Sequence, residues 1–385
     1  MSTTFVCSIC GNDDPKYIGQ RNGAPYCRKC ITFQGKAARP RLPRPKDSPL
    51  CLSYSLSDEQ KELAQRAIEN FKRGIDTLVY AVCGSGKTEI SYPIIQYAME
   101  RGMNVGFALP RRDVVIELYA RLKSAFPRNS VVAVYGGHTA VLEADCIILT
   151  THQLFRYEKY FDLLVMDEID AFPFKGNDTL MAMFKRSLRG HCLMMSATPS
   201  KEVVKKFKSP GHEMLTLHTR FHKHPIPVPI IKIAHNPAKV AFLISKLREY
   251  RKQNKQCFVF VPTIGDSETL FSLVRFFAPG GNYVSSKKAD RPKVISDFKK
   301  GKYRYLITTA VLERGITVKN LQVIVYGADS PIYDAASLIQ IAGRAGRKAD
   351  APKGDVFFVA DKPNEAMERA VKEIRYCNTF LQGLL

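Results

Sequence analysis

The apolar run Thr77-Leu78-Val79-Tyr80 leads straight into Ala81-Val82-Cys83-Gly84-Ser85-Gly86-Lys87-Thr88, and a helix-like stretch follows. Few folds accommodate that order. A buried strand must give way to a turn of small residues whose backbone N–H groups face inward, and a helix must begin at once. A loop of this kind cradles the phosphates of a nucleoside triphosphate. Gly84, Ser85 and Gly86 allow the backbone to close on the oxygens. The Lys87 ammonium reaches the β/γ-phosphates, and the Thr88 hydroxyl ligates Mg²⁺. Ala81 stands where the usual pattern has its first glycine.

A second apolar run, Leu163-Leu164-Val165-Met166, ends in Asp167-Glu168-Ile169-Asp170. In an NTPase, Asp167 holds the Mg²⁺ shell, and Glu168 orients and deprotonates the attacking water. Alone, such a sequence reads equally well as a solvated strand exit. The phosphate loop about 80 residues upstream shifts the balance, because the ends of both strands meet at one crevice in a parallel α/β sheet. A third element is Gln340-Ile341-Ala342-Gly343-Arg344-Ala345-Gly346-Arg347. Arginines three residues apart can share a helical face, which suits γ-phosphate recognition. Without the other motifs, a solvated basic helix end would be the simpler reading.

Strand-like runs alternate with helical patterns twice. The first set comprises 77–83, 104–109, 131–135, 145–150, 162–167 and 191–196; the second comprises 256–262, 303–309, 321–326 and 354–360. This predicts an α/β protein with two doubly wound parallel-sheet lobes, at 51–215 and 235–385. Pro225, Pro227 and Pro229 break both periods, so 216–234 reads as a hinge. The nearby His218, His222 and His224 fit a basic proline-rich linker better than a metal site. Residues 1–50 form a separate module with prolines at 40, 43, 45 and 49. There Cys7-x₂-Cys10 and Cys27-x₂-Cys30 have zinc-ribbon spacing, which places four thiolates around one Zn²⁺. A disulfide framework is the alternative, disfavoured in the reducing cytosol where an NTPase of this kind works. Cys146, Cys192 and Cys257 lie in apolar strand patterns and read as core.

A net charge of +22 over 385 residues points to a polyanionic partner. Basic runs at Lys201, Lys205, Lys206 and Lys208, and at Lys287, Lys288, Arg291 and Lys293, suit phosphate-backbone contact. No apolar run approaches the 18 or so residues of a membrane span, and the first residues lack a signal pattern. A cytoplasmic location is expected, with peripheral membrane attachment left open.

From about residue 50 to residue 360 the motifs follow the order of the superfamily 2 helicases, which the chain resembles. Ser57-Asp58-Glu59-Gln60 is similar to their adenine-reading segment, Pro110-Arg111-Arg112 to a strand-touching motif, and Thr150-Thr151-His152-Gln153-Leu154 to another. Ser196-Ala197-Thr198 resembles the segment that couples hydrolysis to strand movement. Thr308-Thr309 through Glu313-Arg314-Gly315-Ile316 resembles the bridge between nucleotide and nucleic acid. The resemblance implies two RecA-like lobes binding ATP and Mg²⁺ through Gln60, the phosphate loop, Asp167 and Gly315. It also implies catalytic roles for Lys87, Asp167, Glu168, Gln340, Arg344 and Arg347, and strand contacts at Arg112, Thr151 and Thr309. With the four-cysteine module in front, the chain resembles the ComFA family of Gram-positive competence proteins. That implies an ATP-driven motor on single-stranded DNA, with duplex also possible, acting in DNA uptake. It further implies ComFC, DprA and the ComEC channel as partners. A PriA-like or RNA helicase is the runner-up; a nucleotide-dependent DNA-binding switch that does not move is the reading from another class.

Overall fold

Short apolar runs that are buried on both faces and separated by helices pair in parallel, and that pattern governs the architecture. The computed structural model describes residues 5–170, 173–174, 176–285, 290–309 and 318–382. The chain divides into two compact units, Met1–Ala81 with Gly86–Leu217, and Val82–Ser85 with His218–Leu385.

The first unit opens with an antiparallel hairpin of β1 (Ile18–Arg21) and β2 (Ala24–Cys27). There follow α1 (Asp58–Lys72), β3 (Asp76–Ala81), α2 (Lys87–Ile90), α3 (Tyr92–Glu100), β4 (Val105–Leu109), α4 (Arg112–Ala125) and β5 (Val131–Val134). The unit continues through β6 (Cys146–Thr150), β7 (Phe161–Asp167), α5 (Asp178–Ser187), β8 (Leu188–Ser196), α6 (Lys201–Lys206) and β9 (His212–Leu217). Strands β3 to β9 form one sheet in the order β5-β6-β4-β7-β8-β3-β9, parallel throughout. Val79, Phe107 and Val165 fill the core on one face, and Leu78, Leu149 and Met166 fill it on the other.

The second unit contains β10 (Ile230–Ile233), α7 (Ala238–Lys252), β11 (Gln256–Phe260), α8 (Ile264–Phe277), β12 (Gly281–Val284) and α9 (Arg291–Lys299). Beyond these lie β13 (Tyr305–Thr308), β14 (Leu321–Tyr326), α10 (Ala335–Ala342), β15 (Val356–Ala360) and α11 (Glu365–Gln382). Its six strands run parallel in the order β10-β15-β14-β11-β13-β12.

All ten strands expected from the sequence are present as β3 to β8, β11, β13, β14 and β15. Three more strands of the two parallel sheets, β9, β10 and β12, gave no clear signal. Each lies at a sheet edge, and β10 is mostly exposed, so none needs a continuous apolar run. The stretch 216–234 therefore holds the end of β9 and the whole of β10. Within the phosphate-loop segment, Val82–Ser85 groups with the second unit.

The proline-rich stretch after the cysteine module is pinned along the first unit. Lys46 N donates to the Glu100 carbonyl at 3.2 Å, and Cys51 N donates to the Ala125 carbonyl at 2.8 Å. Asn129 donates to Ser48 Oγ at 2.9 Å, and Arg41 exchanges hydrogen bonds with the side chain of Asn104. The focal group is Asp145, which accepts from Arg41 at 2.9 Å, from Lys46, and from the Ser130 N–H and Oγ at 2.7 and 2.8 Å. Burial pushes this carboxyl up, but Lys46, Ser130 and Arg41 outweigh it and bring the pKa down to about 2. Removing the carboxylate strands two cations and a backbone N–H, so Asp145→Ala is expected to cost about 2–4 kcal/mol. The folded-state pKa lies below the ordinary value of 3.8. The stabilisation is therefore present above about pH 4 and is lost as pH falls toward 2. Urea unfolding across that range checks both statements; a loss below about 0.5 kcal/mol at neutral pH would show that Asp145 does not hold the strap.

Candidate nucleotide-hydrolysis site

Strand β3 stops at Ala81, and the chain turns through Gly84 (φ +85°) and Gly86 (φ +77°) before α2 begins at Lys87. Both values lie in the left-handed region that glycine enters without steric cost. Gly86 is constrained a second time, because a Cβ there would meet Gln60 Nε2 at 2.3 Å. Gln60 is held rigid against it. Its Oε1 accepts from Ser57 N at 2.9 Å, and its own N–H donates to Ser57 Oγ at 3.2 Å, a reciprocal cap on α1. Gln60 and the glycine that precedes Lys87 are thus neighbours. Thr88 lies in the first turn of α2, its carbonyl accepting from Ser91 Oγ at 2.6 Å. Glu89, next along, pairs with Arg121 of α4, a contact that only the Glu following the Lys-Thr pair hinted at.

Asp167 is buried at the end of β7, and its Oδ1 accepts from Glu168 N at 2.8 Å. Glu168 itself has φ +61°, uncommon for a residue with a Cβ and costly by about 1–3 kcal/mol. The strand therefore ends abruptly at the carboxylate assigned to the water. Asp170, to which the sequence reading gave no role, accepts from Ser196 Oγ at 2.9 Å and Thr198 Oγ1 at 2.6 Å. It joins the acidic motif to Ser196-Ala197-Thr198. Its place as the fourth residue of the acidic run was the one available signal.

In the second unit, Gln340 is buried within α10, Arg344 is buried just after it, and Arg347 is partly buried. The two arginines do not share a helical face, because α10 ends at Ala342. The following residues form tight turns, with Arg344 N on the Ile341 carbonyl at 3.0 Å and Ala345 N on the Ala342 carbonyl at 3.1 Å. Gly346 (φ +63°) then reverses the chain, and Arg347 Nε caps the Gly343 carbonyl at 2.9 Å. Gly315, with Glu313, Arg314 and Ile316, lies outside the described residues, as do Lys287, Lys288, Ala171 and Phe172.

The sulfurs of Cys7, Cys10, Cys27 and Cys30 all lie within 4.8 Å of one another, and those of Cys10 and Cys27 are 3.7 Å apart. A tetrahedron with Zn–S bonds of about 2.3 Å has edges of about 3.8 Å, so the donor set fits Zn²⁺. All four thiols are free, with no disulfide among them. The cysteine module packs on the 3-10 turn Thr151–Arg156 of its own unit. Phe33 stacks on His152 with centroids 6.2 Å apart and tilts against Phe155 at 5.8 Å. Arg156 donates to the Lys36 carbonyl at 2.7 Å, and Ala38 N donates to the Arg156 carbonyl at 2.9 Å.

Residues 61–207 match the DEAD/DEAH box helicase model, and residues 238–349 match the helicase conserved C-terminal domain. The competence protein ComFA of Bacillus subtilis is 32% identical over 97% of this chain and 86% of its own length. That of Streptococcus pneumoniae is 33% identical over 92% and 86%. The chain belongs to the ComFA family. Among solved structures, Saccharomyces cerevisiae Dbp5 bound to RNA and ADP-BeF3 superposes with a TM-score of 0.62 at 16% identity, covering 84% of this chain and 92% of that one. RecG bound to a three-way DNA junction gives 0.57 at 20% identity, covering 85% and 47%. These likenesses establish the RecA-like character of the two lobes.

As a member of the ComFA family the chain is a superfamily 2 nucleic-acid-dependent ATPase that uses ATP and Mg²⁺, and it is competence-related. Among the described residues no helix is long and apolar enough to cross a membrane. Of the three expected strand contacts, Arg112 is exposed at the start of α4, its guanidinium 4.8 Å from the centroid of the Tyr135 ring. Thr151 and Thr309 are buried, so neither side chain is presented to solvent. Thr151 opens the 3-10 turn beneath the cysteine module, and Thr309 follows the last residue of β13.

The geometry at Gly86 makes a direct prediction. Gly86→Ala meets left-handed strain of about 1–2 kcal/mol and the Gln60 amide together, so affinity for a fluorescent ATP analogue should fall about tenfold or more. Thermal unfolding should fall by only the few degrees that such strain costs a unit of this size. Undiminished affinity would show that the loop tolerates a side chain there.

Proposed function

We propose that this protein is an ATP-driven translocase on single-stranded DNA, working in DNA uptake during competence. The observation that carries this reading is that each of the two RecA-like units carries its own set of the residues expected of a helicase ATPase. One holds Lys87, Asp167 and Glu168; the other holds Gln340, Arg344 and Arg347. Family membership and the +22 charge agree with it.

In this reading Gln60 recognises the adenine. Gly84, Ser85, Gly86, Lys87 and Thr88 hold the phosphates and Mg²⁺, together with Asp167. Glu168 positions and deprotonates the attacking water, which supplies the hydrolytic chemistry. Arg344 and Arg347 answer the charge that develops on the γ-phosphate, with Gln340 placed alongside them and Gly315 at the nucleotide. Arg112 contacts the strand directly. The buried Thr151 and Thr309 contribute through the backbone of their turns, and Asp170, accepting from Ser196 and Thr198, ties the acidic motif to the Ser-Ala-Thr segment. ComFC, DprA and the ComEC channel are the proposed partners, at a cytoplasmic location that includes the inner membrane face.

Zn²⁺ on Cys7, Cys10, Cys27 and Cys30 completes the proposal, since a module this small draws most of its folding free energy from metal. Elemental analysis should find one zinc per chain, and Cys27→Ser should lose it while the lobes still unfold cooperatively. Full metal content in Cys27→Ser would remove that residue from the site.

The motor reading is tested by ATPase rates on a ladder of single-stranded oligonucleotides, with RNA and duplex DNA in parallel. Stimulation should grow with strand length before levelling off. Affinity should fall steeply with salt, because phosphate contacts release counterions. Glu168→Gln should bind ATP and lose turnover; Lys87→Ala should lose both. Rates independent of strand length, with no displacement of a blocked end, would replace the motor by a nucleotide-dependent switch. Stimulation by RNA alone would favour an RNA helicase.

A further inference from the structure

The sequence reading passed over Arg220, which lies in the proline-rich stretch 216–234 and is 1% exposed. Its guanidinium is committed to backbone carbonyls of the second unit. Nη1 donates to Ala345 at 3.1 Å and to Gly346 at 2.8 Å, and Nη2 donates to Gly343 at 3.2 Å. Nε donates to the carbonyl of Cys83, which belongs to the same unit, at 3.1 Å. Among the described residues no carboxylate pairs with it. Burial, and then the charge of Arg347, lower its pKa to about 10, so it stays charged at neutral pH.

A buried cation held by carbonyls alone is a poor device for stability, since an apolar side chain would avoid the desolvation cost. It is a good device for fixing backbone. The carbonyls of Gly343, Ala345 and Gly346 follow the end of α10, where helical partners run out and the helix dipole favours positive charge. A planar fork with five donors can satisfy several of them in one fixed geometry, which a lysine ammonium cannot. The same turn is over-determined by its glycines. A Cβ at Gly346 would meet the Pro352 carbonyl oxygen at 2.1 Å, and one at Gly343 would meet the Cys83 Cβ at 2.7 Å. His222 Nε2 adds a further contact of 3.1 Å to the Gly346 carbonyl oxygen.

We propose that Arg220 is the positioning residue of the arginine turn, locking the Gly343–Gly346 backbone so that Arg344 and Arg347 leave it in fixed directions. The proposal rests on the reading that those two arginines act on the γ-phosphate. Arg220 touches no phosphate itself. Its contribution is to remove the backbone freedom that would otherwise be lost when the transition state forms.

The test is a double-mutant cycle on the full chain, with ATP, Mg²⁺ and saturating oligo-dT. Arg220→Met should lower kcat about 10- to 100-fold while KM for ATP changes by less than about threefold. Arg344→Ala should lower kcat as well. The double variant should be no slower than Arg344→Ala alone, because a positioning residue has nothing left to position. If Arg220→Met fails to melt cooperatively, Arg220→Lys carries the cycle with the same non-additive outcome. Wild-type kcat in the Arg220 variants, or losses that multiply in the double variant, would overturn the proposal and leave the arginine reading intact. Unchanged kcat in both Arg344→Ala and Arg347→Ala would overturn the arginine reading, and this proposal with it.

Discussion

Hydrogen bonding among three neighbouring parallel strands, β7, β8 and β3, is the constraint on which the edge carrying the candidate site depends. Their register sets Asp167 opposite Met195 and Ser196 opposite Tyr80. Because the strands are parallel, all three release their loops at the same edge, spaced by about 4.8 Å per strand. The acidic motif, the Ser-Ala-Thr segment and the phosphate loop are therefore side by side although they lie far apart in sequence. Asp170 then ties the acidic motif to the Ser-Ala-Thr segment, so those two loops are held to each other rather than standing as independent turns.

Backbone shape does as much at this edge as side-chain chemistry. Gly84, Gly86 and Glu168 all adopt positive φ where strands turn into loops. In the two glycines this costs nothing; in Glu168 it is strain borne by the sheet behind it. The second unit solves a related problem differently. Its arginine turn closes on Gly346 and on the guanidinium of Arg220, a side chain more than 120 residues away in sequence.

Much of this was legible in the chain. The phosphate loop, the Asp167-Glu168 pair and the Cys7, Cys10, Cys27, Cys30 spacing are local patterns, and local patterns survive reading in one dimension. Ten strands were visible because their apolar runs are buried on both faces. The edge strands β9, β10 and β12 were not, since β10 follows three alternating prolines and β12 begins with Gly281-Asn282. The arginine turn was misread as helix because spacing alone cannot show that α10 stops at Ala342. Arg220 was invisible for a deeper reason. Its importance lies wholly in carbonyls supplied by other segments, and carbonyls carry no residue-specific signal.

The cysteine module and its strap also bear on what counts as the smallest working unit. The sequence suggests a detachable appendage joined by stiff prolines, yet Ala38 is part of the same apolar cluster as Leu154 and Tyr157. A fragment beginning at residue 51 would bring water onto Leu154, Phe155 and Tyr157. It would also strip Asp145 of both its cations and leave Asn129 without Ser48. The turn that begins at Thr151 would lose its outer wall. Excising the module would not yield a trimmed ATPase, because the first lobe uses it as part of its own interior.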